Sequence, residues 1–277
     1  MLHPRSVAEL REAMRTNDPF VVHGVRALPS IPLLDSLDTL FATWPDTVDA
    51  IDPEVADEAV KTAVTVDEAR SRFATGTSLL FNEVQDHVPE LVTWLDTIRA
   101  DLELSALTQR RCLIYATPAG GGTAPHFDQN VNFVLQVHGT KRWLLAPNIH
   151  VSRPMTRHTM GLPVDPELAT YADLPMPDAL ADHLEIVLEP GSVLFVPRGT
   201  WHATSAITDA VSLNFTFSAP TWLDLFGAAL RSKLALSSAW RETASPPSVA
   251  VFEALLRELA DEATSWSAAD ILAVTET

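Results

Sequence analysis

His126 and Asp128 stand one residue apart in the run Thr123-Ala124-Pro125-His126-Phe127-Asp128, and a distant Gly199-Thr200-Trp201-His202 brings a second imidazole. Strand side chains alternate, so ligands at positions i and i+2 point to the same side. A third group from another strand then closes a triangle around one ion. Two imidazoles and one carboxylate on one face of a metal leave the opposite face open, an arrangement suited to Fe(II) and oxygen chemistry. Taken singly, His126 and Asp128 also read as an ordinary surface pair, and His202 as a core histidine held by a backbone hydrogen bond. The strand-like sequence around all three favours a shared ion.

Those ligands need a scaffold, and the pattern from about Arg111 onward supplies strands. Cys112 to Tyr115 reads as a strand, and Gly120-Gly121-Gly122 as a loop. That loop is no phosphate cradle, because no Gly-Lys-Ser/Thr follows. Val131 to His138 alternates, with Val131, Phe133, Leu135 and Val137 apolar and Asn132, Gln136 and His138 polar; Val134 alone breaks the pattern. Gly139-Thr140 predicts a two-residue hairpin turn into a strand over Lys141 to Ala146. Strands are expected again over Leu184 to Leu188, Val193 to Val196 after the Glu189-Pro190-Gly191-Ser192 turn, and Val211 to Phe217. Short strands with one apolar and one polar face predict a mainly β fold, a jelly-roll, cupin-like barrel whose lumen holds a polar site. The outer face would be covered by N-terminal helices or by another sheet.

The first hundred residues read as mostly helical. Ser6-Val7-Ala8-Glu9 and Thr65-Val66-Asp67-Glu68 both fit a capping box, Phe20 to Val25 is strand-like, and Val88 to Leu102 has helical apolar spacing. Residues 148–183 look irregular, with a short helix near Glu167 to Ala172, and an insertion of this kind faces substrate in many enzymes. Helices are expected from Thr221 and over about Val249 to Trp266. The predicted division is 1–218 for the site-bearing domain, with its barrel core at about 110–218, and 219–277 for a helical segment.

Composition narrows the function classes. Hydrophobic residues make up 47% of 277, normal for a globular core. The formal net charge of −17 argues against nucleic acid as the primary ligand and favours a basic partner by steering. No apolar run is long enough for a membrane helix. The segment MLHPRSVAELREAMR lacks the apolar centre of a signal peptide, so a cytoplasmic protein is expected. Cys112 is the only cysteine, which excludes an internal disulfide and a cysteine-based metal site.

The strings PHFDQNVNFVLQVHGTKRWLLAPN, LEPGSVLFVPRGTWHATSA and SLNFTF resemble the JmjC and cupin-like branch of the 2-oxoglutarate oxygenases over about residues 110–218. The earlier FVVHGV run is similar to a strand near the start of such domains. The likeness is greatest to bacterial ribosomal-protein hydroxylases, and the asparaginyl hydroxylase of hypoxia-inducible factor is similar over the same stretch. The resemblance implies Fe(II) held by His126, Asp128 and His202, with 2-oxoglutarate and O2 as co-substrates. It implies that Lys141, thirteen positions after Asp128, anchors the distal carboxylate of 2-oxoglutarate. A buried lysine without an anionic partner is costly, which agrees with that role.

Thr123, Asn132, Asn214 and Tyr115 are further candidates for binding co-substrate or orienting a ligand. Phe127 and Trp201 read as core packing beside the ligands. His138, His150, His158 and His183 read as surface or loop residues, and Arg198 as a turn arginine. The resemblance implies hydroxylation of a protein or peptide side chain; a small molecule or natural-product peptide, and demethylation of an N-methyl carbon, use the same chemistry. The remaining alternatives are a cupin enzyme using another metal without 2-oxoglutarate and a non-enzymatic metal-binding protein, both of which leave Lys141 without a task. The chain departs from the ribosomal-protein hydroxylases in its short C-terminal part and in Gln129-Asn130-Val131. The resemblance also implies a homodimer interface on the C-terminal helices, although packing against the barrel explains the same apolar spacing.

Overall fold

A computed structural model describes residues 4–25 and 31–275. The chain divides into two compact units, Met1–Ser218 and Ala219–Thr277. In the first unit the helices are α1 (Pro4–Thr16), α2 (Leu37–Thr43), α3 (Val66–Ala74), α4 (Val84–His87), α5 (Pro89–Asp101) and α6 (Pro166–Tyr171). Its strands are β1 (Phe20–Val22), β2 (Val48–Asp52), β3 (Asp57–Val64), β4 (Leu79–Phe81), β5 (Gln109–Thr117), β6 (Gly122–Phe127), β7 (Val131–His138), β8 (Lys141–Ala146), β9 (His158–Thr159), β10 (Leu184–Leu188), β11 (Val193–Val196), β12 (Trp201–Ala206) and β13 (Ala210–Ser218).

They form two antiparallel sheets, one in the order β1-β11-β7-β13-β5-β4-β2-β3 and one in the order β10-β8-β12-β6-β9. From β5 to β8 and again from β10 to β13, each strand lies in the opposite sheet from the one before it, as a jelly roll requires. The sheets are not joined into one continuous barrel. Val134, Leu194 and Val196 of the larger sheet pack against Trp143, Leu145 and Leu188 of the smaller one, so the two face each other across a shared core.

The alternation in β7 and β13 decides which side meets the helices. Phe133, Leu135, Leu213, Phe215 and Phe217 join Leu10 of α1, Phe41 of α2, Phe73 of α3 and Leu91, Leu95 and Ile98 of α5 in the main core. Trp94 of α5 meets Phe215 edge-on, 4.9 Å between ring centres. The other face, carrying Asn132 and Asn214, is thereby turned into the space between the sheets, where the functional groups collect.

Three local expectations are corrected. Gly139-Thr140 does not close a hairpin: β7 pairs with β11 and β13, whereas β8 pairs with β10 and β12. The turn is a corner between sheets, and Gly139 takes φ +68 there with the Asp209 carbonyl against its α-carbon. Ser6 is not a cap, because α1 already begins at Pro4. Thr65 does cap α3 by accepting from the Glu68 amide, but the Glu68 side chain turns to Arg72 instead of closing the box. The first hundred residues are also less helical than expected, since β2, β3 and β4 extend the larger sheet.

The second unit contains α7 (Trp222–Leu234), α8 (Val249–Ala263) and α9 (Ala268–Thr275). A reciprocal capping box between Thr221 and Asp224 starts α7. Among the described residues, no helix is long and apolar enough to cross a membrane.

Candidate metal centre

His126 lies on β6 and His202 on β12, and the two are direct partners in the antiparallel register. Their rings sit 4.1 Å apart, centre to centre. Asp128 falls just past the end of β6, where its carbonyl accepts from the Gly199 amide at 2.9 Å, tying it to the turn that leads into β12. Asp128 Oδ2 stands 3.6 Å from His202 Nε2 and 4.0 Å from His126 Nε2. The three ligating atoms all lie within 4.8 Å of one another. Pairs at 3.6 and 4.0 Å can share an ion with bonds of ~2.1 Å, typical of first-row metals on nitrogen and oxygen.

The tautomers suit this task. His126 Nδ1–H donates to the Ala124 carbonyl at 2.8 Å, and His202 Nδ1–H to the Thr200 carbonyl at 2.9 Å. Each bond leaves the Nε2 lone pair facing the carboxylate. Burial pushes the His126 pKa well below its ordinary value, and a second proton on the neighbouring His202 or the charge of Arg157 would disfavour its protonation further. Burial also lowers His202. Both imidazoles are therefore neutral, the form that binds metal. On the opposite faces of the strands, Phe127 and Trp201 meet edge-on at 4.7 Å and pack with Leu168 of α6, as their core reading requires.

The ligands open onto a cavity of about 230 Å³ that also reaches Thr123, Asn132, Asn214, Tyr115 and Lys141, so the structure gathers every sequence-predicted site residue. Lys141 is only 3% exposed. Its Nζ donates to Thr117 Oγ1 at 3.1 Å and lies 5.7 Å from the centre of the Tyr115 ring. Among the described residues no carboxylate pairs with it, and burial brings its pKa down to about 8. Asn132 Nδ2 donates to Asp128 Oδ2 at 2.5 Å, while its own Oδ1 and that of Asn214 are buried without partners among the described residues. Thr123 shares a 2.8 Å hydroxyl–hydroxyl bond with Thr204. The Tyr115 hydroxyl donates to Glu58 Oε2 at 2.6 Å.

A buried ammonium with no carboxylate partner among the described residues, beside an open-sided ligand triangle, fits a metal together with a small anionic co-substrate.

Three functional neighbours escape a reading of the sequence. Arg157, in the stretch before β9, grips Asp57 of β3 through Nη1 and Nη2 at 2.5 and 2.7 Å and donates from Nε to Asp128 Oδ1 at 3.1 Å. Glu58 Oε1 lies 3.5 Å from the same Nε. Burial raises Asp57, but the guanidinium outweighs it and holds the carboxyl below its ordinary pKa. Neither acid carried a signal, because Asp57-Glu58 sits in a charge-rich run typical of a solvated edge. His158 is also corrected: it is buried, 5.9 Å from the Phe127 ring centre. Arg198 is a turn arginine that donates to the Pro154 carbonyl at 2.9 Å.

Comparison with known proteins agrees with this geometry. The sequence pattern of the JmjC domain matches residues 92–225. The uncharacterized protein YxbC of Bacillus subtilis is 34% identical over 256 residues, which span 88% of this chain and 77% of YxbC. The bifunctional lysine-specific demethylase and histidyl-hydroxylase NO66 of Drosophila willistoni is 38% identical over 107 residues, 38% of this chain and 12% of that protein. In three dimensions, Escherichia coli YcfD, a ribosomal oxygenase solved with cobalt and 2-oxoglutarate, superposes with a TM-score of 0.55 at 19% identity, covering 88% of this chain and 62% of YcfD. The chain thus spans less than two thirds of the latter two proteins. From the matched domain pattern, the relationship to YxbC and the shared fold, the chain belongs to the JmjC-domain family.

Proposed function

We propose that the protein is an Fe(II)- and 2-oxoglutarate-dependent oxygenase that hydroxylates an unactivated C–H bond of a protein or peptide side chain. One observation carries this reading: two neutral imidazoles and a carboxylate oxygen converge at one end of a cavity whose wall also holds a buried lysine with no carboxylate partner. Fe(II), 2-oxoglutarate and O2 together supply the oxidising power, with 2-oxoglutarate leaving as succinate and carbon dioxide.

The chain's own residues bind and orient. His126, Asp128 and His202 hold the ion. The Lys141 ammonium pairs with the distal carboxylate of 2-oxoglutarate, and Thr117 steadies it from behind. Thr123, Asn132 and Asn214 present a hydroxyl and two amide oxygens to the same space, and Trp143, stacked at 5.7 Å on His202, limits the access of water.

The cavity size supports a side chain as substrate. About 230 Å³ lies below the ~300 Å³ at which pockets for drug-sized molecules begin. Co-substrate and one side chain projecting from an outside segment fit that space better than a whole metabolite. The net charge of −17 draws a basic polypeptide, and the names of NO66 and YcfD record a histidyl-hydroxylase and a ribosomal oxygenase. A cytoplasmic setting is part of this reading, as is a homodimer formed through α7 and α8, which expose Trp222, Leu223, Val251 and Phe252.

The test is iron-dependent formation of succinate from 2-oxoglutarate, followed by mass spectrometry of a deletion strain for a protein that has lost one oxygen atom. His126→Ala should abolish turnover while the protein stays folded; persistent turnover would overturn the assignment.

A further inference from the structure

Three carboxylates, Asp57, Glu58 and Asp128, surround one guanidinium at the edge of the ligand triangle. Asp57 is fully buried and saturated: it accepts two bonds from Arg157, one from the Ala59 amide at 2.8 Å and one from Thr159 Oγ1 at 2.8 Å. This grip consumes the Nη1 and Nη2 end of the rigid guanidinium fork and leaves the Nε edge aimed at Asp128 Oδ1. The other oxygen, Oδ2, is the one turned to the two imidazoles.

A carboxylate can ligate through one oxygen or two. One-oxygen ligation with two imidazoles leaves three positions open, enough for a chelating co-substrate and oxygen. Two-oxygen ligation removes one of them. We propose that Arg157, seated by Asp57, is a positioning residue that reserves Oδ1 of Asp128 and so confines the carboxylate to single-oxygen ligation. The inference rests on the metal-centre reading above. Arg157 acts through Asp128 and needs no contact with the reacting atoms. Arg157 also pairs with Asp57 and Glu58.

The experiment uses the full chain with Co(II) alone as probe, then with 2-oxoglutarate added to the Co(II)-loaded protein. Arg157→Lys keeps the charge but lacks the fork. It should still bind Co(II), but with a changed visible absorption band that reports an altered set of ligand atoms around the ion, and should bind 2-oxoglutarate about tenfold more weakly. The pair Asp57→Asn with Arg157→Met removes both buried charges together, so neither is left alone; it should shift the band in the same direction and further. A role confined to fold stability would lower the melting temperature of the metal-free variants and leave the band and the 2-oxoglutarate affinity of the folded fraction as in the wild type, and that result overturns the proposal. Failure of the wild-type protein to bind Co(II) would instead sink the metal-centre reading itself.

Discussion

His126 and His202 are cross-strand partners, and the register between their strands shifts immediately afterwards, between His202 and Thr204. The direct pairing places the two imidazoles side by side. The irregularity sets Thr204 opposite Thr123, whose amide donates to the Thr204 hydroxyl at 3.1 Å and whose own hydroxyl shares a 2.8 Å bond with it. Because each ring is fixed by its own backbone carbonyl two residues earlier, replacing one leaves the other in place. His202→Ala should therefore retain the fold and lower Co(II) affinity by about 100-fold or more, beyond the range seen when only a ligand's supporting partner is removed. Titration followed by visible absorption measures it.

Lys141 is a group that folding disfavours. Its pKa falls from 10.5 to about 8 on burial. The unfolded chain holds the proton more tightly, so the penalty is greatest below pH 8 and is relieved as pH rises toward 10.5. Lys141→Met should stabilise the metal-free protein at pH 7 by on the order of 2–3 kcal/mol. The same variant should lose the rise in melting temperature that 2-oxoglutarate produces in the Co(II)-loaded wild type. A destabilised variant that still responds to 2-oxoglutarate would contradict the anchor role.

Gly122 stands on β6 where β12 passes closest. A Cβ there would overlap the Thr204 carbonyl, a backbone atom with nowhere to retreat. Gly122→Ala should cost roughly 1–3 kcal/mol in urea unfolding, as overpacking does. Since Thr204 follows His202 by two residues, Co(II) affinity should fall as well. An alanine variant with native stability would show that the two strands tolerate separation at this point.

Acid should weaken the metal-free protein in two stages. His126 and His202 have folded pKa values below 6.5, so the unfolded chain takes up protons first and stability declines as pH falls below 6.5. Asp57, also lowered in the fold, contributes stability that is intact above its ordinary 3.8 and is lost as pH falls through its folded value. Urea unfolding at pH 7.5 and 5.5 should show the first stage, and His126→Gln should flatten it. An unchanged slope in that variant would mean that the imidazole is not held neutral.

The His126–Asp128 pair and the amide-bearing faces of β7 and β13 were legible because each follows from a local period, whereas Lys141 was singled out by the family resemblance. Val131, Phe133, Leu135 and Val137 point one way, so Asn132 must point the other, whatever lies beyond. Pairing partners are not local, which is why Gly139-Thr140 reads as a hairpin although its flanking strands belong to different sheets. Asp57 and Arg157 illustrate the same gap more sharply. Each is an ordinary charged residue in a polar stretch, and only the packing of β3 against the segment before β9 turns them into a buried pair. β2 and β3 were missed because their charged positions resemble a solvated surface, and β4 because Leu79-Leu80-Phe81 is too short a run to mark a strand, whereas burial at Val48, Ala50, Leu79 and Phe81 is what marks them as sheet.

The interleaving of strands between sheets also governs when the centre comes into being during folding. β1 closes against β11, and Asp57 meets Arg157, 100 positions further along the chain. Contacts this remote form slowly, after much of the chain has paid its ordering entropy. A nascent polypeptide that has emerged only as far as β7 offers an ion His126 and Asp128 alone, a weak two-point grip. The complete triad therefore exists only once β12 has been synthesised and paired with β6.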